Sequence, residues 1–275
     1  MSTGWLPRLT SWLAARTDPS FALIGGDLAY CRGLPEGYAR WQQWFADWEA
    51  TMRAPDGRLI PIVAAIGNHD RRDSRDTVAG SDPAPFFKGF FYQDPAGKSY
   101  FARRFGARVA LFVLDSGHLA PHAGAQRDWL AAQLQEKADV PVLFALYHVA
   151  LFPAHQPIAK AADAGRAEWL PLFDAFHLTA AFENHGHLQK RTLPLRAGEP
   201  VTDGSGTMYF GDGCWGKSHT QRPRASRDYV AAASSRRHFW KVSVAKQGVR
   251  YEAVGGFGLA FDHAGQDASG AWIRE

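Results

Sequence analysis

The residues of this chain that can do chemistry stand at the ends of apolar runs. Phe21–Ile24 leads into Gly26-Asp27-Leu28-Ala29-Tyr30, Ile60–Ile66 into Gly67-Asn68-His69-Asp70, and Val109–Leu114 into Asp115-Ser116. Val140–Leu146 leads into Tyr147-His148, and Leu178–Phe182 into Glu183-Asn184-His185-Gly186-His187. Asp27 supplies a carboxylate, and the two glycines before it let the backbone turn sharply beside a charged ligand. Asn68 supplies a neutral carbonyl oxygen, suited to a hard cation that already has anionic ligands. His148 follows a strand-like run. His185 and His187, with one glycine between them, can reach two adjacent ions from a single turn. Taken singly, each has an ordinary reading as a capped turn or a surface histidine. Together, in one order at successive run ends, the hard oxygens and imidazoles match a two-metal hydrolytic centre, where a carboxylate bridges cations about 3.5–4 Å apart. No Ser/His/Asp nucleophile elbow, Walker loop or dinucleotide fingerprint competes with that reading.

Delivering side chains spread over so much sequence to one place requires a sheet whose strands share an edge. Open α/β sheets carry their chemistry at the carboxyl ends of strands. Trp41, Trp44, Phe45, Trp48 and Met52 recur at helical spacing and predict an amphipathic helix packing aromatics onto that sheet. Further helices are expected over Gln126–Lys137, with Trp129, Leu130 and Leu134 inward, and over about Ala161–Phe176, bent or broken at Pro171. Residues 71–96 show no period and should form a loop overhanging the site. Thr207–Phe210, Phe239–Val244 and Val249–Val254 look like strands, the last two forming a hairpin. Alternating βα units followed by antiparallel strands suggest two sheets packed face to face with helices outside.

Bulk properties exclude several classes. Hydrophobic residues make up 46% of the 275 and charged ones 21%, as in ordinary globular proteins. No repeat or linker divides the chain, which reads as one domain over 1–275. No apolar run approaches the 18 or so residues needed to span a bilayer. The start is too interrupted by polar residues for a secretory leader; it reads as an amphipathic helix with Trp5, Leu9, Trp12 and Leu13 on one face. Net charge is only +4, and no spacing resembles a nucleic-acid-binding module. Lys217, Arg222, Arg224, Arg227, Arg236 and Arg237 crowd one polar stretch, either a solvated loop or an attractor for an anionic substrate. Cys31 and Cys214 are the only cysteines; a single bridge and two free thiols both remain open, and the compartment is undetermined. Oligomeric state is not legible.

Gly25-Gly26-Asp27-Leu28-Ala29-Tyr30, Gly67-Asn68-His69-Asp70, Leu146-Tyr147-His148 and His185-Gly186-His187 resemble the motifs of the calcineurin-like metallophosphoesterases. The resemblance extends over nearly the whole chain, and Tyr30 is similar to the iron-binding tyrosine of the purple acid phosphatase branch. It implies a four-layer α/β/β/α sandwich of two mixed sheets and two metal ions, iron with zinc, manganese or a second iron. Asp27 would bridge them, Asn68, His148 and His185 would complete one, and His187 with Tyr30 would bind the other. His69 would touch the phosphate or protonate the leaving oxygen, and Asp70 is the second catalytic candidate, standing where that branch usually carries Glu. Arg71 or Arg72 would clamp the phosphate unless, like most exposed arginines, they are surface charge. The implied activity is hydrolysis of a small anionic phosphoester. Phosphate monoesters are the expected substrates, with diesters of nucleotides or lipids as the alternative.

One motif of the family is missing. Its opening strand carries Asp-x-His or Asp-x-Gly, whereas the 26 residues before Asp27 contain a single acid, Asp18, ahead of the first strand. Three expectations follow: an amino-terminal truncation or misassigned start, a variant with one well-formed metal site, or a non-catalytic metal- or phosphate-binding protein. In each case the neighbour of the missing strand should be left unpaired.

Overall fold

Strand β5 shows how the layers are sorted, because its side chains alternate between two different cores. The computed structural model describes residues 3–76, 79–91, 93–155, 158–211, 213–217, 220–223 and 227–273. In chain order it begins with helix α1 (Trp5–Ala15), strand β1 (Ala22–Ile24), helix α2 (Tyr38–Thr51), strand β2 (Ile62–Ala64) and helix α3 (Pro85–Phe90). There follow β3 (Phe101–Phe105), β4 (Val109–Val113), α4 (Ala125–Glu136), β5 (Val142–Val149), α5 (Lys160–Ala175) and β6 (Ala180–Asn184). Next come β7 (Gln189–Thr192), β8 (Leu195–Arg196), β9 (Glu199–Pro200), β10 (Met208–Gly211) and β11 (Val230–Ser234). The chain closes with β12 (His238–Ala245), β13 (Gly248–Gly255) and β14 (Ala260–Asp267).

Seven strands form one mixed sheet in the order β11-β7-β10-β6-β5-β4-β3. On β5, Leu143, Ala145 and Tyr147 point to a core shared with Leu130 and Leu134 of α4 and Trp169 and Phe173 of α5. Val142, Phe144 and Leu146 point the other way, into a second core with Val249 and Tyr251 of β13. Burial on both faces is why β5 reads as a continuous apolar run. The second β layer is split: β1 and β2 make a parallel pair, and β12, β13 and β14 an antiparallel sheet. Outside it lie α1 and α2, whose Ala14, Ala15, Trp41, Trp44 and Trp48 pack with Ala22, Ile24 and Phe239. This is the expected α/β/β/α sandwich.

The gap in the split layer is physical. Among the described residues β1 pairs only with β2, and β12 only with β13. Both line a cavity of about 510 Å³.

Several expectations need correction. Helix α1 buries Pro7, Thr10, Ser11, Ala14 and Ala15, while Trp5 is 72% and Trp12 48% exposed. Small side chains let it sit tightly on its neighbours: the Trp215 indole N–H donates to Ser11 Oγ at 3.2 Å, and a Cβ on Gly216 would lie 2.5 Å from Pro7 Cα. Helix α5 runs on through Pro171. Residues 71–96 are not wholly loop, since they include α3. Strands β7, β11 and β14 had no clear apolar signal. Cys31 and Cys214 are buried and not bridged. No helix among the described residues is long and apolar enough to cross a membrane.

Candidate metal centre

The carboxyl ends of β1, β2, β5 and β6 meet at one place, as the order of motifs required. Asp27 follows Gly25 and Gly26 with φ 56, in the left-handed region. The tightness of the turn explains the glycines. A Cβ on Gly25 would lie 1.7 Å from Asn184 Nδ2, and one on Gly67 2.4 Å from Asp27 Oδ1. Tyr30, His185 and His187 also have positive φ. Local backbone strain of this kind survives only where surrounding contacts enforce it, and it gathers at functional sites.

His148 is at the centre of the cluster. Its Nδ1 lies 2.7 Å from Gly25 C=O, an oxygen that can only accept, so Nδ1 carries the proton and Nε2 presents a bare lone pair. That Nε2 faces Asn68 Oδ1 at 3.1 Å, His185 Nδ1 at 3.1 Å and Asp27 Oδ1 at 3.4 Å. Ligand atoms of Asp27, His148 and His185 all lie within 4.8 Å of one another. Burial depresses the His148 pKa to about 3, with the Asp27 charge opposing, so the imidazole stays neutral. Burial alone would raise the Asp27 carboxyl, yet it is held below the usual range, where it accepts the His69 N–H at 2.8 Å. A convergence of electron-pair donors with so few protons to share fits a divalent cation.

His187 and Tyr30 form a second, adjoining group. The Tyr30 hydroxyl lies 3.2 Å from His187 Nε2. Burial, then the charges of Asp27 and Asp70, push the phenol pKa far up, so Tyr30 is a neutral phenol. Burial and then the Lys217 ammonium lower His187 to about 4. His69 is half-buried, its ring 4.5 Å from that of Tyr30, and burial lowers its pKa.

Asp70, grouped with His69 from sequence, faces backbone. Its carboxylate accepts the N–H of Asp27 at 2.7 Å, of Leu28 at 2.9 Å and of Gly67 at 2.9 Å. Burial and the Asp27 charge push its pKa up to about 7 against those bonds. Asp115 does similar work one strand over, accepting the N–H of His118, Leu119 and Ala120. Ser116 Oγ accepts from Val149 N–H at 2.9 Å. Glu183 turns away from the site: it pairs with the buried Lys190 and accepts the Tyr147 hydroxyl at 2.8 Å.

Two site residues were not singled out from sequence. His118 has its ring 5.4 Å from that of His148, and burial lowers its pKa to about 4; the chain reaches it by a turn after Ser116 that leaves no periodic signal. Lys217 holds its ammonium 3.8 Å from the Tyr30 ring centroid. Of the basic stretch, Arg227 and Arg236 lie over Tyr229 and Phe261 instead, and Arg224 is outside the described residues. Arg71 donates to His118 C=O at 3.2 Å, while Arg72 binds Gly33 C=O and Ser81.

Residues 4–189 match the calcineurin-like phosphoesterase family model. The chain belongs to that family. This phosphoesterase-family chain is similar to two uncharacterised proteins of Mycobacterium tuberculosis strains, each 28% identical over 198 residues, covering 66% of this chain and 36% of theirs. It thus spans about a third of the length of those relatives. Its fold is shared with purple acid phosphatase PPD1 of yellow lupin seeds, at TM-score 0.76 and 16% identity over 95% of this chain and 48% of that one. It is shared too with a Danio rerio dimetal phosphatase, at TM-score 0.58 and 12% identity over 96% and 88%. A third likeness is Plasmodium GAP50, described as the anchor in the inner membrane complex, at TM-score 0.67 and 12% identity over 100% and 88%.

Proposed function

We propose that this chain is a metal-dependent phosphoesterase acting on phosphate monoesters, with two cations held by Asp27, Tyr30, Asn68, His148, His185 and His187. The observation that carries the reading is the His148 Nε2 lone pair facing Asn68 Oδ1 and Asp27 Oδ1. That arrangement is repulsive until a cation enters. Asp27, Asn68, His148 and His185 suit one ion; Tyr30 and His187, with Asp27 between the groups, suit the second. Held there, the ions would draw charge from phosphoryl oxygens and ease the ionisation of water.

The chain's own residues supply the rest. His148 is oriented by Gly25 C=O, which fixes its tautomer. Asp70 positions Asp27 and Gly67 rather than touching substrate. His69, whose ring lies beside that of Tyr30, would meet the leaving oxygen. Lys217 and Arg71 put positive charge at the rim, which favours a small anionic phosphoester. Iron with zinc, manganese or a second iron is the metal content we expect.

Purified protein should carry close to two ions per chain and hydrolyse a chromogenic aryl phosphate. His148→Ala and Asn68→Ala should lose activity by at least about a hundredfold, since even outer partners of metal ligands are worth 10–100-fold. Hydrolysis that survives both changes would overturn the proposal. A non-catalytic reading draws on one observation: among the described residues, the His, Cys, Asp and Glu side chains that gather closely enough to hold an ion are Asp27, His148 and His185, on one side of the site. About one ion per chain and no turnover would favour it.

A further inference from the structure

After β10 the chain is fastened residue by residue. A Cβ on Gly213 would lie 3.1 Å from His185 N, and one on Gly216 2.5 Å from Pro7 Cα. The Cys214 thiol donates to Arg236 C=O at 3.0 Å, and the Trp215 indole N–H to Ser11 Oγ. The Lys217 carbonyl accepts from Arg237 Nε at 2.9 Å. Lys217 thus leaves a backbone held by its neighbours, and its side chain crosses the face of Tyr30, with Nζ 3.8 Å from the ring centroid. The side chain is partly buried, and its ammonium makes no ion pair with a carboxylate among the described residues. Burial apart, Asp27 is the charge that weighs most on it, and it weighs in turn on His187 and His69. All three belong to the candidate site. A cation over a ring contributes only about 0.5–1 kcal/mol where water still reaches it, and withdrawing an unpaired charge from water opposes that gain. The contact with Tyr30 alone is a weak reason for an ammonium to stand there.

We propose that Lys217 is a specificity-determining residue: its ammonium binds a terminal phosphoryl oxygen and so selects phosphate monoesters over diesters. The inference rests on the phosphoesterase reading and deepens it. A monoester carries three terminal oxygens and close to two negative charges at neutral pH. In a diester one of those oxygens is esterified, and a single charge remains. Two terminal oxygens are common to both classes; the third is the difference between them. An ammonium has three N–H donors and no acceptor, and it meets an anionic oxygen through a charge-assisted hydrogen bond. An esterified oxygen gives it no charge to answer. The ammonium would then stay partly desolvated and unpaired, and a site that leaves its own polar group unmet rejects a ligand more sharply than one that merely lacks a contact. The anchored backbone from Gly213 to Lys217 adds to this, because a donor already in position loses little freedom when the substrate arrives.

The test is steady-state kinetics on two esters that differ only at that oxygen, 4-nitrophenyl phosphate and methyl 4-nitrophenyl phosphate. The native protein should favour the monoester. Lys217→Met keeps an unbranched side chain over Tyr30 and removes its charge. It should lower kcat/KM for the monoester about a hundredfold, as loss of one fixed donor to a charged oxygen does, and for the methyl diester far less. Lys217→Arg, which restores the charge, should recover part of the monoester rate. Metal content should not fall in either variant, and inorganic phosphate should inhibit Lys217→Met more weakly than the native protein. Equal losses on the two esters overturn the proposal, because the charge then only attracts anions in general. Loss of metal from Lys217→Met also overturns it, since Lys217 would then support the site without touching substrate. A native protein that treats both esters alike overturns it as well, and that result needs no variant to fold. Hydrolysis of neither ester overturns the phosphoesterase reading and this inference with it; the other outcomes leave that reading standing.

Discussion

His148 on β5 and His185 just after β6 belong to strands with neighbours on both sides; Asp27 and Asn68 follow strands of three residues, one of them with an open edge. The imidazole half of the site is thus built on the interior of a seven-stranded sheet, backed by the buried Glu183–Lys190 pair and Tyr147. The oxygen half has little sheet behind it. What holds it in register is a set of cross-links: Asp70 ties the β1 and β2 ends together, the His69 N–H donates to Asp27 Oδ1, and the His148 Nδ1–H reaches Gly25 C=O. A site needs its ligands held within about half an ångström. In this molecule one half obtains that from strand pairing and the other from side chains.

The contrast breaks most visibly at Asp70. Asp70→Ala removes the acceptor of three backbone N–H groups without deleting any candidate ligand. Metal affinity should fall 10–100-fold, as for other residues that orient ligands, with His148 and His185 still in place. Metal titration followed by the environment of the two imidazoles in NMR spectra checks this. Unchanged affinity would mean the oxygen half has support other than Asp70.

The sheet half should respond in stability instead. Lys190→Met leaves Glu183 buried without its partner, and breaking such pairs typically costs about 3–5 kcal/mol. Chemical denaturation should show that loss. The double change Lys190→Met with Glu183→Leu should recover much of it, because no unpaired charge remains. Equal destabilisation by the single and double variants would show that the pair's bonds to Tyr147 and Phe152 matter more than its charges.

The sequence was most informative where burial and chemistry coincide. Continuous apolar runs marked β4 and β5, and the polar residues after them marked the site, because a strand end buried among apolar neighbours tolerates Asp or His only for a reason. Asp27, Asn68, His148 and His185 came together as their order implied, with Tyr30 and His187 beside them. Less legible were residues whose role depends on contacts far along the chain. Lys217 was one of six basic residues in a polar stretch, and nothing local separates it from Arg236. Helix α1 misled because Trp5, Leu9 and Trp12 face outward while Ala14 and Ala15, with Leu13, pack. Strand β14, Ala-Phe-Asp-His-Ala-Gly-Gln-Asp, buries only Ala264, Gly265 and Gln266 and has no strict alternation.

A smaller effect is expected on the split layer in acid. His238, at the start of β12, is buried; burial lowers its pKa to about 4, against its backbone contacts with Arg236 and Gly211. The unfolded chain therefore takes up this proton first as pH falls from about 6.5. Stability from the neutral imidazole is complete above pH 6.5 and is lost toward pH 4, roughly 3 kcal/mol in all. Urea midpoints at pH 7 and pH 4.5 should separate more for the native chain than for His238→Gln. Equal separation would place the acid sensitivity elsewhere.

The least costly break is the most direct probe of how an edge is closed. Gln93 binds both backbone groups of Ala64 and so stands in for a neighbouring strand on the far side of β2. Gln93→Ala would expose that edge while leaving the β1–β2 ladder intact. Two neutral hydrogen bonds in a partly buried position should contribute about 1–2 kcal/mol. The Ala64 amide should exchange faster by a comparable factor, about tenfold per 1.4 kcal/mol. If Leu23, on the β1 side, exchanges fast in the native protein while Ala64 becomes fast only in the variant, the two edges differ by the presence of one side chain. If Ala64 is already fast, side-chain capping does not protect this pair, and its stability must come from the helices packed against it.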